Sequence, residues 1–87
     1  MLDRLVKLPV GTMARTISVS TPEELGAALR RIRKARGLRL EDLALAAGVG
    51  VRFVSELERG KPTVRLAETL RVASALGAQI VLEDPSG

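Results

Sequence analysis

The chain has 87 residues, 14 Lys and Arg against 10 Asp and Glu, and neither cysteine nor histidine. Such a length supports one small domain with an aliphatic core, because Phe53 is the only aromatic residue. The composition excludes thiol and imidazole chemistry and a structural zinc site, while the formal charge of +4 suits a polyanionic partner.

Residues 1–20 read as a leader. Its opening, MLDRLVKLPV, is interrupted by Lys7 and Pro9 and lacks the apolar stretch of a signal peptide. Nothing further along resembles a membrane span, so no membrane association and a cytoplasmic location are expected. Met13 followed by Ala14 offers an alternative translation start. In Arg15 to Ser20 β-branched residues alternate with polar ones, which predicts a short strand.

Residues 21–77 read as a helical domain. Thr21 is a suitable N-cap, Pro22 suits the first helical position, and Glu24 completes a Thr-x-x-Glu capping box. Leu25, Ala28, Leu29 and Ile32 form an apolar stripe, and Gly37 supplies the stop. A second helix is predicted over Leu40 to Ala47 and a third over Val51 to Glu58. Gly60-Lys61-Pro62 closes the third. A fourth runs from about Arg65 to Leu76 with Leu66, Leu70, Ala73 and Leu76 inward, and Gly77 ends it. Ala78 to Glu83 is β-rich and alternating. It predicts a strand, which needs a partner, either a second subunit or the strand near Ile17. Gln79, Ile80, Val81 and Leu82 are therefore the candidate dimerisation residues, and a small aliphatic core favours the added burial of a homodimer.

The span Leu40 to Leu57 carries the functional reading. Leu43, Ala47, Val49, Val54 and Leu57 are its apolar sites, Ala44 the small one, and Gly48 falls where the turn costs any residue with a Cβ. This is the pattern of a helix-turn-helix, whose second helix is presented to the DNA major groove. A recognition helix contacts bases with outward, N-terminal residues, here Val51, Arg52, Ser55 and Glu56. Arg52 can bond guanine N7 and O6 together, Ser55 can donate or accept, and Val51 can meet a thymine methyl. Glu56 either accepts from cytosine or orients Arg52. Candidate phosphate contacts are Arg36, Arg39 and the Leu40 amide before and at the second helix, and Arg59, Lys61 and Arg65 after the third. The rest of the basic run from Arg30 to Arg39 reads as solubilising charge. Arg33, one turn before the first helix ends, can reach Glu58 and is assigned a structural ion pair. No nucleophile, base and oxyanion donor can be assembled, so neither an enzyme nor a cofactor nor a metal is expected.

With these residues in hand, the segment from Glu24 to Gly77 resembles the Xre/Cro-type helix-turn-helix domains of phage repressors and bacterial regulators. The resemblance covers roughly residues 22–77 and rests on Gly37-Leu38, Leu43-Ala44, Ala47 to Val49 and Glu56 to Lys61. Phage repressors usually continue into a fifth helix. Here Leu76-Gly77 leads into QIVLE, and the FVSELERGKPTVRL segment with a following strand is similar to HipB-type antitoxins. The resemblance implies an all-α, lambda-repressor-like four-helix domain with a short C-terminal strand. It also implies a dimeric, autoregulating repressor of a palindromic double-stranded operator that binds a HipA-like kinase toxin. Arg52 and Ser55 take the base-reading positions, and Arg33 with Glu58 match an internal salt bridge. Departures fall at Leu40, commonly glutamine, at Gly50, commonly Ser or Thr, and at Phe53, usually small and polar. The alternative from a different class is a protein-interaction module on the same fold with little specific DNA binding.

Overall fold

A computed structural model describes residues 15–87, and the alternative start at Met13 and Ala14 lies outside the described residues. Four helices follow in order: α1 Pro22–Ala35, α2 Leu40–Ala47, α3 Val51–Glu58 and α4 Leu66–Ala75. Their ends follow from local chemistry. Thr21 Oγ1 accepts from the Glu24 amide at 3.1 Å, and the return bond to Glu24 Oε1 comes from the Ser20 amide at 2.6 Å. At the other end of α1 the Leu38 amide donates to the Arg33 carbonyl and the Gly37 amide to that of Lys34, satisfying carbonyls the helix leaves unpaired. The same pair of bonds closes α2 around Gly48, at φ 71° and ψ 36°. In this left-handed region a Cβ is crowded by the backbone, which is why the turn takes glycine. Gly60 and Gly77 close α3 and α4 likewise.

The core forms where α2 packs against both α3 and α4 and where α1 covers α3. Leu29, Leu43, Ala44, Ala47, Val54, Leu57, Val72, Ala73 and Leu76 are buried together, with Leu25, Ile32 and Phe53 packed half-buried around them. Gly26 marks the closest approach between elements. A Cβ there would collide with the Leu57 carbonyl oxygen and lie 2.7 Å from that of Glu58, so α1 rests directly on the α3 backbone.

Three sequence expectations are corrected. Leu66 and Leu70 do not face inward on α4 but are 70% and 45% exposed. The buried stripe is instead Thr69, Val72, Ala73 and Leu76, spaced i, i+3, i+4 and i+7. Thr69 hides this register because it is polar. Its hydroxyl donates to the Arg65 carbonyl at 2.7 Å and so enters the core without an unpaired group. The strands expected at residues 15–20 and 78–83 are not formed, and the described residues contain no strand. An extended segment becomes a strand only when a neighbour takes up its N–H and C=O groups, and within one chain neither segment has that neighbour.

Candidate nucleic-acid interface

Besides the core contacts of Val54 and Leu57, one buried ion pair ties α3 to α1. The Arg33 guanidinium donates through Nε to Glu58 Oε2 at 2.7 Å and through Nη2 to Oε1 at 3.0 Å, while Nη1 donates to the Leu38 carbonyl at 2.8 Å. Both side chains are more than nine-tenths covered. The bond to Glu58 is the main reason the Arg33 pKa rises further above its already high ordinary value. This two-pronged geometry fixes the C-terminal end of α3 against α1 and leaves its opposite face to solvent.

On that face Val51 is exposed and the Arg52 side chain is 89% exposed, whereas Ser55 and Glu56 are half-covered. The structure links these groups in two short chains. Arg52 Nε donates to Glu56 Oε2 at 3.3 Å, and Lys61 Nζ donates to Glu56 Oε1 at 3.2 Å. Arg59 Nη1 donates to Ser55 Oγ at 2.8 Å, one turn back along the same helix. Arg65 stands over the Phe53 ring, 5.8 Å from its centroid, and pairs with Glu68 at 3.1 Å. Phe53 thus packs inward against the core while its ring steers a cation toward the loop after α3.

The remaining candidates lie elsewhere. Arg39 precedes α2, its side chain 77% exposed and paired with Asp42 at 3.4 Å. Its amide donates to Asp42 Oδ2 at 2.9 Å, and this bond is the main cause holding the Asp42 carboxyl below its ordinary range. Leu40 opens α2 half-buried against the core, beside the carboxylates of Glu41 and Asp42 in the first turn. Those carboxylates occupy the positive end of the helix that a phosphate would seek. Arg36 is engaged at the far end of α4, where Nη1 donates to the Leu76 carbonyl at 2.9 Å. Arg71 does the same for α2, Nε to the Ala47 carbonyl at 3.3 Å. Sequence reasoning missed Arg71, and only its place next to Val72 of the α4 core stripe could have suggested an inward reach. In the tail Gln79 is exposed, and Ile80, Val81 and Leu82 are 49%, 68% and 94% exposed. Among the described residues no cluster of acidic side chains could hold a metal, and no helix is long and apolar enough to cross a membrane.

A short helix, a glycine turn and a second helix with an exposed arginine define the helix-turn-helix class. Known proteins agree. The Helix-turn-helix domain family matches residues 24–85. An uncharacterised HTH-type transcriptional regulator, y4mF of Sinorhizobium fredii, is 43% identical over 67 residues, covering 77% of this chain and 88% of that protein. Over 52 residues the HTH-type transcriptional regulator DdrOP3 of Deinococcus deserti is 42% identical, covering 60% of this chain and 40% of its own. Among solved structures, HipB in the HipB-O4 20mer complex superimposes with a TM-score of 0.74 at 20% identity, covering 80% of this chain and 99% of that one. The clp gene regulator ClgR of C. glutamicum does so with a TM-score of 0.63 at 39% identity, covering 76% and 85%. The chain belongs to the helix-turn-helix transcriptional regulators, of the Xre type, and is a DNA-binding regulator with the HipB fold.

Proposed function

We propose that the chain is a sequence-specific repressor that binds a palindromic double-stranded operator as a homodimer. Its α3 helices would enter successive major grooves about one helical turn apart. The observation that carries this reading is the outward Arg52 on an α3 anchored by the buried Arg33–Glu58 pair. Rigid mounting matters because a bidentate base contact tolerates little angular error. Val51, Arg52 and Ser55 are the base-facing residues in this reading, and Arg39, Arg59 and Arg65 hold the phosphates, with Arg36 and the Leu40 amide at the margin and Lys61 beside them paired with Glu56. Gln79, Ile80, Val81 and Leu82 pair with the same segment of a second chain. That pairing would cover three consecutive exposed aliphatic residues and satisfy the backbone that one chain leaves open.

Autoregulation as the antitoxin of a HipA-like kinase is the context we favour. Support comes from the shared fold with HipB in the HipA-HipB-O2-O3 complex, at a TM-score of 0.74 and 20% identity. The decisive measurement is a fluorescence-anisotropy titration against the chain's own promoter and a scrambled duplex at several salt concentrations. Specific binding falls with salt yet keeps its preference for the promoter. Equal, weak binding to both duplexes at low salt would instead favour a protein-interaction module. Removal of residues 78–87 is expected to halve the mass seen by light scattering, and an unchanged mass rules out the tail-mediated dimer.

A further inference from the structure

Two cations at the interface share one carboxylate. Glu56 receives Arg52 Nε on one oxygen and Lys61 Nζ on the other, at 3.3 and 3.2 Å. The backbone repeats the second link, since the Lys61 amide donates to the Glu56 carbonyl at 3.0 Å in the turn around Gly60. The Glu56 side chain is only 22% exposed against 89% for Arg52, so the carboxylate sits beneath the guanidinium that α3 presents. The Lys61 ammonium is the main influence holding the Glu56 carboxyl below its ordinary range.

We infer that Glu56 is a positioning residue that sets the sequence discrimination of α3. It holds Arg52 by its Nε edge and keeps Lys61 from the phosphates. The inference rests on the proposal that α3 reads DNA. A guanidinium has two edges that can meet a base. With Nε occupied, the Nη1–Nη2 end is the pair of donors left to face outward, and it matches the two acceptors of guanine. Among the described residues Arg52 has no partner besides Glu56. The carboxylate also offsets two positive charges beside the groove, which weakens the attraction for any phosphate regardless of sequence. Glu56 therefore lowers affinity for random DNA while it aims the side chain that reads bases. A direct contact from Glu56 to cytosine fits less well, because both of its oxygens are engaged and the group is mostly covered.

The test is anisotropy titration of the full chain, the Glu56→Gln and Glu56→Ala variants, Arg52→Ala, and the Arg52→Ala/Glu56→Gln double variant. Each is titrated with the promoter duplex and a scrambled duplex across a salt series, with circular-dichroism melting as a check on folding. Both Glu56 variants are expected to melt near the parent temperature, since the cations paired with it, Arg52 and Lys61, are exposed to solvent and such pairs contribute little to stability. Glu56→Gln should bind scrambled DNA about threefold more tightly, with a salt slope steeper by roughly one as Lys61 engages a phosphate. Its preference for the promoter should drop about tenfold, within the range of one bidentate base contact. In the Arg52→Ala background the same change should leave the preference untouched. The inference is overturned if Glu56→Gln costs the same preference with or without Arg52, which would make Glu56 a base reader. It is equally overturned if the preference survives in the single variant. A parent chain with no preference for any duplex defeats the DNA-reading proposal, and this inference with it.

Discussion

Removing one partner of the Arg33–Glu58 pair should damage the fold far more than removing both. In the Glu58→Leu variant the Arg33 guanidinium keeps only its bond to the Leu38 carbonyl and loses two donors' worth of contact with a carboxylate at 2.7 and 3.0 Å. The charge that remains is more than nine-tenths covered by protein and cannot recover water without disturbing the α1–α3 contact. Breaking such a buried pair costs about 3–5 kcal/mol. A domain of this size has roughly 5–10 kcal/mol in total and shifts by about 4–8 °C per kcal/mol, so the melting temperature should fall by about 12–40 °C. The Arg33→Met/Glu58→Leu double variant removes both charges and replaces them with apolar side chains of roughly similar volume. Desolvation of the pair then no longer opposes folding, and the double variant should melt near or above the parent. Urea unfolding of the four proteins followed by circular dichroism closes the cycle, with a coupling energy of several kcal/mol expected. If Glu58→Leu lost less than about 1 kcal/mol, the pair would not be the fastener of α3. The double variant separates stability from function as well. Should it melt like the parent yet bind the promoter more weakly, the pair's contribution would lie in aiming α3.

Gly26→Ala places a methyl group against the Leu57 and Glu58 carbonyls. It should destabilise by about 2 kcal/mol in chemical denaturation, although alanine is the better helix former by about 1 kcal/mol. On α4, Val72→Ala empties a fully buried site and should cost about 2 kcal/mol, whereas Leu66→Ala, at a site 70% exposed, should stay within about 0.5 kcal/mol. A reversed order in thermal melting would show that the inward face of α4 has been misassigned. Asp42 sets an acid limit. The Arg39 amide lowers its folded pKa from the ordinary 3.8, so its contribution is complete above that value and is lost as pH falls through the depressed folded value. Asp42→Asn keeps an acceptor for the Arg39 amide and should flatten this part of the acid limb in pH-dependent melting. An identical limb in both proteins refutes it.

The helix-turn-helix itself was legible because its signals are local. Thr21 and Pro22 start α1, and the glycines that end each helix act through backbone geometry within a few residues, so they can be read without knowing the fold. The reach from Arg33 to Glu58 was also readable, since the helix lengths and turns bring those two positions opposite each other. Register across elements was not. Thr69 lies in the buried stripe of α4 only because its hydroxyl is satisfied by Arg65, while two leucines that hydrophobicity alone would bury face solvent. The bond from Arg71 to α2 and the approach of α1 to α3 at Gly26 arise when separate helices meet, and local sequence does not specify which backbone group either one reaches. Strand propensity at residues 78–83 is likewise a local fact that needs a partner's backbone before it becomes structure. Residue types and spacing thus determined that the chain folds as a helix-turn-helix with Arg52 on the outer face of α3. Helical spacing sets Glu56 one turn from Arg52, whereas only the turn that closes α3 decided that Lys61 shares the same carboxylate.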